Sequence, residues 1–208
     1  MSNSFNTIAP CYDSLAFLVF GNRIKLAPLY FLPRLKEPSK ILVIGGGTGA
    51  ILKALRRHFP HTPITFLEPS EQMMVRARKR SVSNVTFVSQ TLADFNTAHQ
   101  FDLILTPFVL DVFNESELPP AIEKVKAMLN PGGHWLHSDF YQGENLWWQR
   151  WLIRSMYKFF KVFAGLKQQK LLDFDHYFSA THDLNLVASQ SWLRGLIKSV
   201  WLQKEQPL

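Results

Sequence analysis

The sequence predicts an α/β fold, a mostly parallel sheet with helices on both faces. Three observations carry this. Between residues 40 and 140, short apolar runs alternate with helically spaced segments five times. The first run passes directly into a glycine-rich turn, "GGGTG" at 45–49, and then into an amphipathic stretch. Near the C-terminus, two β-like runs flank Arg194-Gly195 as the arms of a hairpin would. Parallel strands need long crossovers, and the helical segments supply them.

Taken in order, residues 1–38 are apolar and helical in character, with prolines at 10, 28, 33 and 38. They are predicted to form a lead-in or cap. "KILVI" (40–44) is the first strand, and "GAILKALRRHF" has the spacing of a helix. "PITFLE" (63–68) is the second strand. "SEQMMVRARKR" (70–80) is a helix with Ser70 as N-cap and Glu71 in its electropositive first turn. "NVTFVS" (84–89) and "FDLILT" (101–106) are the third and fourth strands. "ESELPPAIEKVKAMLN" is a helix with prolines in its first turn, and Asn130-Pro131-Gly132-Gly133 is predicted to stop it. "HWLHSDF" (134–140) is the fifth strand, and a long helix is expected from about 144 to 166. The terminal "DLNLVASQSWLRGLIKSVWLQ" is the hairpin. The expected organisation is one domain, 1–208: lead-in 1–38, ligand-binding core 39–140, and a substrate-side helix and hairpin 141–208.

Composition narrows the function classes. No window offers the ~18 uncharged apolar residues of a membrane-spanning helix. "MSNSFNT" lacks the basic and apolar regions of a secretory leader. Cys11, the lone cysteine, excludes an internal disulfide and a cysteine-based metal site, so no metal and a reducing, cytoplasmic setting are expected. The net charge of +7 is uneven: 14 Lys/Arg against 12 Asp/Glu over 1–144, but nine against four over 145–208. From Asn145 to Leu172 there are six basic residues and no acidic one. Such a patch suits an anionic partner.

A strand, a glycine turn and a helix together form a site for a nucleotide-like ligand. Glycine permits the turn and lets a ligand approach the backbone, and the helix N-terminus presents free amides. Thr48 is a candidate cap for that helix. Gly45-x-Gly47-x-Gly49 suits a nucleoside-binding loop, while Gly45-x-Gly47-x-x-Ala50 also fits a dinucleotide fingerprint. Glu68 closes the second strand 23 positions after Gly45, where a carboxylate can accept two hydrogen bonds from a ribose diol.

"ILVIGGGTGAIL", "FLEPSEQMM", "NVTFVSQTLADF", "FDLILTPFVLDVF" and "LNPGGHWLHSDF" follow one another over residues 40–140. In that order they resemble the motifs of class I S-adenosylmethionine-dependent methyltransferases. "APCYDSLAFLVFG" is similar to the lead-in of the ubiquinone/menaquinone C-methyltransferase branch. The resemblance implies a Rossmann-like seven-stranded sheet, with the hairpin supplying strands six and seven and one of them antiparallel. It implies S-adenosyl-L-methionine as cofactor, with Gly45, Gly47 and Gly49 against its methionine part and ribose, and Glu68 on the ribose hydroxyls. Pro69 and Ser70 would follow, and Met73 would pack on the adenine. Thr91 and Leu92 would meet the adenine edge, where the family often has an aspartate; Gln90 or Asp94 are substitutes. Thr106 and Pro107 would border the sulfonium, and Tyr12 would cover the cofactor.

Methyl transfer from a sulfonium is an in-line displacement that demands alignment and exclusion of water. It needs a base only when the nucleophile must lose a proton. Asp111, His137 and Asp139 are candidates near the strand ends, and each also reads as a capped or solvated group. Many family members have a histidine near position 111, so Asp111 leaves no catalytic histidine to carry over, and the catalytic residues are unassigned. In "NLWWQRWLIRSMYKFFKVFAGLKQQK", Arg150, Arg154, Lys158 and Lys161 form one helical stripe among aromatics. That face either packs on the core or, across 146–170, meets an anionic membrane or lipid-like acceptor. No nucleic-acid module is present in the sequence. The leading expectation is a methyltransferase for a small, quinone- or lipid-like acceptor. The rivals are an NAD(P)-dependent oxidoreductase and a non-catalytic S-adenosylmethionine-binding protein.

Overall fold

The computed structural model describes residues 21–80, 82–144, 146–154 and 171–206. One sheet contains seven strands: β1 (Ile41–Ile44), β2 (Ile64–Leu67), β3 (Val85–Val88), β4 (Phe101–Pro107), β5 (Leu129–Phe140), β6 (Leu184–Trp192) and β7 (Ile197–Lys204). Their order is β3-β2-β1-β4-β5-β7-β6. Strands β1 to β5 pair in parallel, and β7 is antiparallel to both β5 and β6. The sheet is therefore the predicted one, with its single reversed strand inserted between β5 and β6.

Helices cover both faces. α1 (Arg23–Leu26), α2 (Leu52–His58), α3 (Glu71–Lys79), α4 (Leu118–Ala127) and α6 (Phe174–Ser179) are joined by α5, which includes residues 147–154. All four residues of β1 are buried because both faces of the sheet are covered. Leu42, Ile44 and Ile104 face one core, with α4 and α6. Ile41, Val43 and Leu103 face the other, with α2 and α3. The Ser70 cap forms as predicted: its hydroxyl accepts from the Met73 N–H at 3.3 Å. The described part of the lead-in is α1 followed by two 3-10 turns, each with a proline as its second residue. It is tied to the sheet where the Ser199 hydroxyl donates to the Ala27 carbonyl at 2.7 Å.

Several boundaries differ from expectation. α4 ends at Ala127, and Asn130–Gly133 does not lie outside the sheet but opens β5. Leu129 pairs with Phe101, and a register shift between Phe101 and Leu103 absorbs the extra residues. Gly133 suits this bulge because a Cβ there would sit 2.8 Å from the Asn130 carbonyl. Strand β4 runs one residue further than predicted, to Pro107. Thr48 does not cap α2. Ile51 holds the N-cap position without a side-chain bond, and the Thr48 hydroxyl instead accepts from the Arg80 guanidinium at 2.9 Å. α6 was not anticipated; Asp173 caps it by accepting from the His176 N–H.

Candidate active site

The carboxyl ends of β1 and β2 bring the glycine turn to Glu68. Gly45, Gly47 and Gly49 all have positive φ, at 67°, 57° and 75°. The three positions nonetheless differ. A Cβ on Gly45 would meet Val109 at 2.4 Å, and one on Gly49 would lie 2.9 Å from the Ala77 backbone. Among the described residues, a Cβ on Gly47 would meet nothing within 4 Å. Gly45 and Gly49 thus serve packing, whereas Gly47 faces open space.

Glu68 is buried and accepts twice: from the Gly47 N–H at 2.9 Å on Oε2, and from the Ser70 N–H at 3.0 Å on Oε1. Burial pushes its carboxyl above the ordinary range, and these two amides oppose that shift. A carboxylate has about four acceptor directions, so each oxygen keeps one for a diol. The residues present therefore fit a ribose at this point. Pro69 is half-buried beside it, and Met73 is buried without belonging to either sheet core.

The remaining predicted contacts are mixed. Leu92 is buried in the core under α4. The Thr91 hydroxyl donates to Asp94 at 2.6 Å and accepts from the Asp94 N–H at 3.2 Å, a local turn that leaves Asp94 exposed. Thr106 lies at the carboxyl end of β4, next to its last residue. Its hydroxyl turns into the core, accepting from Trp135 Nε1 at 2.8 Å and lying 3.1 Å from His137 Nδ1. Only its backbone remains available at the strand end, with half-buried Pro107. Next in sequence, Phe108 holds φ 52°, a left-handed conformation rare for a bulky residue. Tyr12 lies outside the described residues.

A second group gathers at the carboxyl end of β5. Asp139 is fully buried and accepts from the N–H groups of Leu110 (3.0 Å), Asp111 (3.2 Å) and Phe140 (2.9 Å). It thereby holds the 3-10 turn Leu110–Val112 against β5, and with it Val109 against Gly45. Burial pushes the Asp111 carboxyl up to about 6. Burial, and then the neighbouring Asp111 charge, push Asp139 well above its usual range. His137 is buried against Phe174 and Phe178, with ring centroids 5.0 and 5.2 Å away. Burial holds its imidazole down at about 3, so it is neutral, and its Nε2 has no hydrogen-bond partner. It faces aromatic rings and suits a core role better than that of a base.

Sequence reasoning missed Tyr141, Asp175, Trp192 and Lys198. They line a cavity of about 850 Å³ at this end of β5, between α6 and the β6–β7 turn. Tyr141 was findable, since it follows the fifth strand directly; the others are scattered in sequence. Another cavity, of about 670 Å³, lies near Lys40, Asp102 and Asn130, at the amino end of the strands. That end is the wrong one for ligands in a parallel sheet. Among the described residues, no group of three or more His, Cys, Asp or Glu side chains could hold a metal.

Residues 41–133 match a family model described as a methyltransferase domain. The malonyl-[acyl-carrier protein] O-methyltransferase of Priestia megaterium is 28% identical over 144 residues, covering 69% of this chain and 52% of that relative. A second such enzyme, from Ilyobacter polytropus, is 27% identical, covering 67% and 53%. The chain thus spans about half the length of these curated relatives. The ubiquinone/menaquinone biosynthesis C-methyltransferase of Cupriavidus pinatubonensis is 24% identical, covering 96% of this chain and 83% of its own. The N-methyltransferase NodS of Bradyrhizobium japonicum, solved with S-adenosyl-L-homocysteine, superposes with a TM-score of 0.67 at 19% identity, covering 89% and 87%. The plantazolicin methyltransferase BpumL, also solved with S-adenosylhomocysteine, gives 0.68 at 17%, covering 96% and 90%. At these identities the structural likeness establishes a shared fold. With a methyltransferase domain at 41–133 in that seven-stranded frame, the chain resembles the class I S-adenosylmethionine-dependent methyltransferases, including their ubiquinone/menaquinone C-methyltransferase branch.

Proposed function

We propose that this chain is an S-adenosylmethionine-dependent methyltransferase acting on a small molecule. One observation carries the reading. The turn leaves open space at Gly47, directly beside a buried carboxylate with acceptor capacity to spare. Glu68 would hold the ribose hydroxyls, Gly45–Gly49 would border the ligand with backbone alone, and Pro69, Met73, Thr91 and Leu92 would flank the adenine. Thr106 and Pro107 would lie at the reacting end through their backbone. Bound there, S-adenosylmethionine would supply an activated methyl group on its sulfonium. The protein's part is then to align the acceptor and exclude water.

The antiparallel β7 supports this reading over a nicotinamide oxidoreductase. A dinucleotide-binding sheet of order 3-2-1-4-5-6 has no reversed strand inside it. Calorimetric titration with S-adenosylhomocysteine, beside NADH and NADPH, tests the point. Binding of the first alone is expected; binding of a nicotinamide cofactor alone would overturn it.

For the acceptor, we favour a quinone-like or other lipid-like molecule reached from an anionic membrane surface. Both halves of the site lie on one sheet, in keeping with a single domain. In α5, Trp148 and Leu152 pack on the body of the protein, and Gln149 is fully buried. The Gln149 amide donates to the Leu193 carbonyl at 2.9 Å and the Arg194 carbonyl at 3.2 Å, fastening the helix to the β6–β7 turn. The opposite face presents Trp147 and Trp151, 76% and 67% exposed, with exposed Arg150 and Arg154. Indole rings with arginines suit a headgroup layer. Lys158 and Lys161, the rest of the stripe, lie outside the described residues. No helix among the described residues is long and apolar enough to cross a membrane, so contact would be peripheral. Flotation with anionic liposomes should carry the protein at low salt, and failure to bind would remove the membrane contact.

A further inference from the structure

A pair of carboxyls stands where the two halves of the candidate site meet. β4 lies between β1 and β5 in the sheet, so the 3-10 turn that follows it, Leu110–Val112, sits between the glycine turn and the end of β5. Asp111 is on that turn, and Asp139 is the last residue but one of β5. The turn is fixed from both sides. Asp139 accepts the N–H groups of Leu110 and Asp111, and Val109 fills the space where Gly45 lacks a Cβ. The two carboxyls are satisfied unequally. Asp139 is fully buried and accepts from three backbone amides. Asp111 is half-buried, and among the described residues its own N–H, shared with Asp139, is the one donor to its carboxylate. A carboxylate drawn partly out of water with acceptor capacity to spare calls for a cation.

The described groups around the pair come from both sides of the turn. On β5, His137 is neutral, because burial holds its imidazole at about 3. Just past β5, burial pushes the Tyr141 phenol well above its ordinary range, so it is neutral too. On β7, Lys198 stands opposite Asp139 in the ladder, and its ammonium pairs with Asp175. On the β1 side, Gly45 brings backbone alone. Burial lifts both carboxyls, Asp111 to about 6, and the Asp111 charge lifts Asp139 further. A positive charge brought to the pair would favour the ionised form and release a proton.

We infer that Asp111 is the counter-charge to the cofactor's sulfonium, so that the site distinguishes S-adenosylmethionine, cationic at sulfur, from S-adenosylhomocysteine, neutral there. This rests on the methyltransferase reading and deepens it. When the cation binds to the protonated site, the Asp111 carboxyl gives its proton to solvent. After transfer, the electron pair of the broken carbon–sulfur bond stays on sulfur, which is then neutral, and the carboxylate loses its partner. The product is therefore held less tightly than the substrate. Asp139 is a positioning residue here, because it fixes the turn that carries Asp111.

The test needs no acceptor. Calorimetry on the full chain gives Kd for S-adenosylmethionine and for S-adenosylhomocysteine at about pH 5 and about pH 7, below the usual α-amino titration. The preference for S-adenosylmethionine should be at least about five-fold greater at the higher pH. In Asp111→Asn at about pH 7, S-adenosylmethionine should bind at least about five-fold more weakly than in the parent. S-adenosylhomocysteine should stay within about two-fold, and the preference should no longer depend on pH. A preference independent of pH in the parent, or one that still rises with pH in Asp111→Asn, would overturn the inference. So would a variant that weakens or loses both ligands alike, because Asp111 would then serve the fold and not the charge. The two readings fail differently. If neither ligand binds the parent, the methyltransferase reading falls and takes this one with it; if both bind with a constant preference, this inference alone falls.

Discussion

The two ends of the candidate site are built by opposite strategies. At β1 and β2, the ligand surface is mostly backbone: a glycine turn, two amides and one carboxylate, drawn from residues 45–70. At β5, it is side chains brought from residues 111–198, with several buried titratable groups. At the first end, Gly45 and Gly49 leave no room for a side chain. The second is a frame whose lining can change while the fold persists. If the proposed function holds, a nucleotide-like group is bound by short-range geometry, whereas acceptor choice lies in packing and charge.

Asp139 joins the two ends, and removing it should have the largest effect. Asp139→Ala strands the N–H groups of Leu110 and Asp111 and frees the turn that presses Val109 on Gly45. Orphaned buried donors cost about 1–3 kcal/mol each, so a stability loss of about 3 kcal/mol is expected in urea unfolding. Cofactor affinity should fall with it. A variant as stable as the parent would mean that the two ends are not coupled through this carboxylate.

Glu68→Ala comes next, and it should act on the cofactor end alone. A lost charge-assisted hydrogen bond corresponds to about 1.5–3 kcal/mol of S-adenosylhomocysteine affinity, read by calorimetry. Unaltered cofactor affinity in a folded variant would remove Glu68 from the site.

This contrast also explains what could be read in advance. The strands were legible because apolar runs such as "ILVI" and "ITFL" are buried on both faces, and Ser70 was legible because a cap is a local bond. The glycine turn and Glu68 are a local signal too. The orientation of the Thr106 hydroxyl was not legible, because it is claimed by Trp135 and lies against His137, partners 29 and 31 positions away. Asn130–Gly133 reads as a stop in sequence because a bulge depends on the neighbouring strand's register, which a single segment does not contain. The lining of the second cavity was invisible for the same reason: Tyr141, Asp175 and Lys198 meet only once β7 has been inserted.

At the β5 end, a pH experiment should expose the opposed titrations. The folded His137 titrates near 3 against about 6.5 unfolded, so the unfolded chain alone gains a proton between those values. Stability from this group is intact above pH 6.5 and falls as pH drops toward 3. Asp111, raised to about 6 in the folded chain, has the opposite sign: its contribution grows as pH falls from 6 toward its unfolded value. Asp139 and Glu68, also raised by burial, share the sign of Asp111, so the carboxylates oppose the histidine loss as pH falls. In His137→Leu the histidine term is gone, so from pH 7.5 to pH 5 the variant should gain roughly 2 kcal/mol on the parent in urea unfolding. A gap independent of pH would mean that His137 is not held neutral by burial.

The smallest effect makes the finest distinction, within the glycine turn itself. Gly47 and Gly49 share a left-handed backbone, so alanine at either costs roughly 1 kcal/mol of strain. At Gly49 the new Cβ would also press on the Ala77 backbone, at 2.9 Å, where neither helix can yield cheaply. Gly49→Ala should therefore be less stable than Gly47→Ala by about 1 kcal/mol or more. Affinity for S-adenosylhomocysteine should rank the other way. The methyl group at 47 projects into open space beside Glu68, where the ligand must lie, whereas the one at 49 points toward α3. If stability and affinity fell together at both positions, the turn would be acting as one rigid unit, and open space at Gly47 would not mark the ligand's approach.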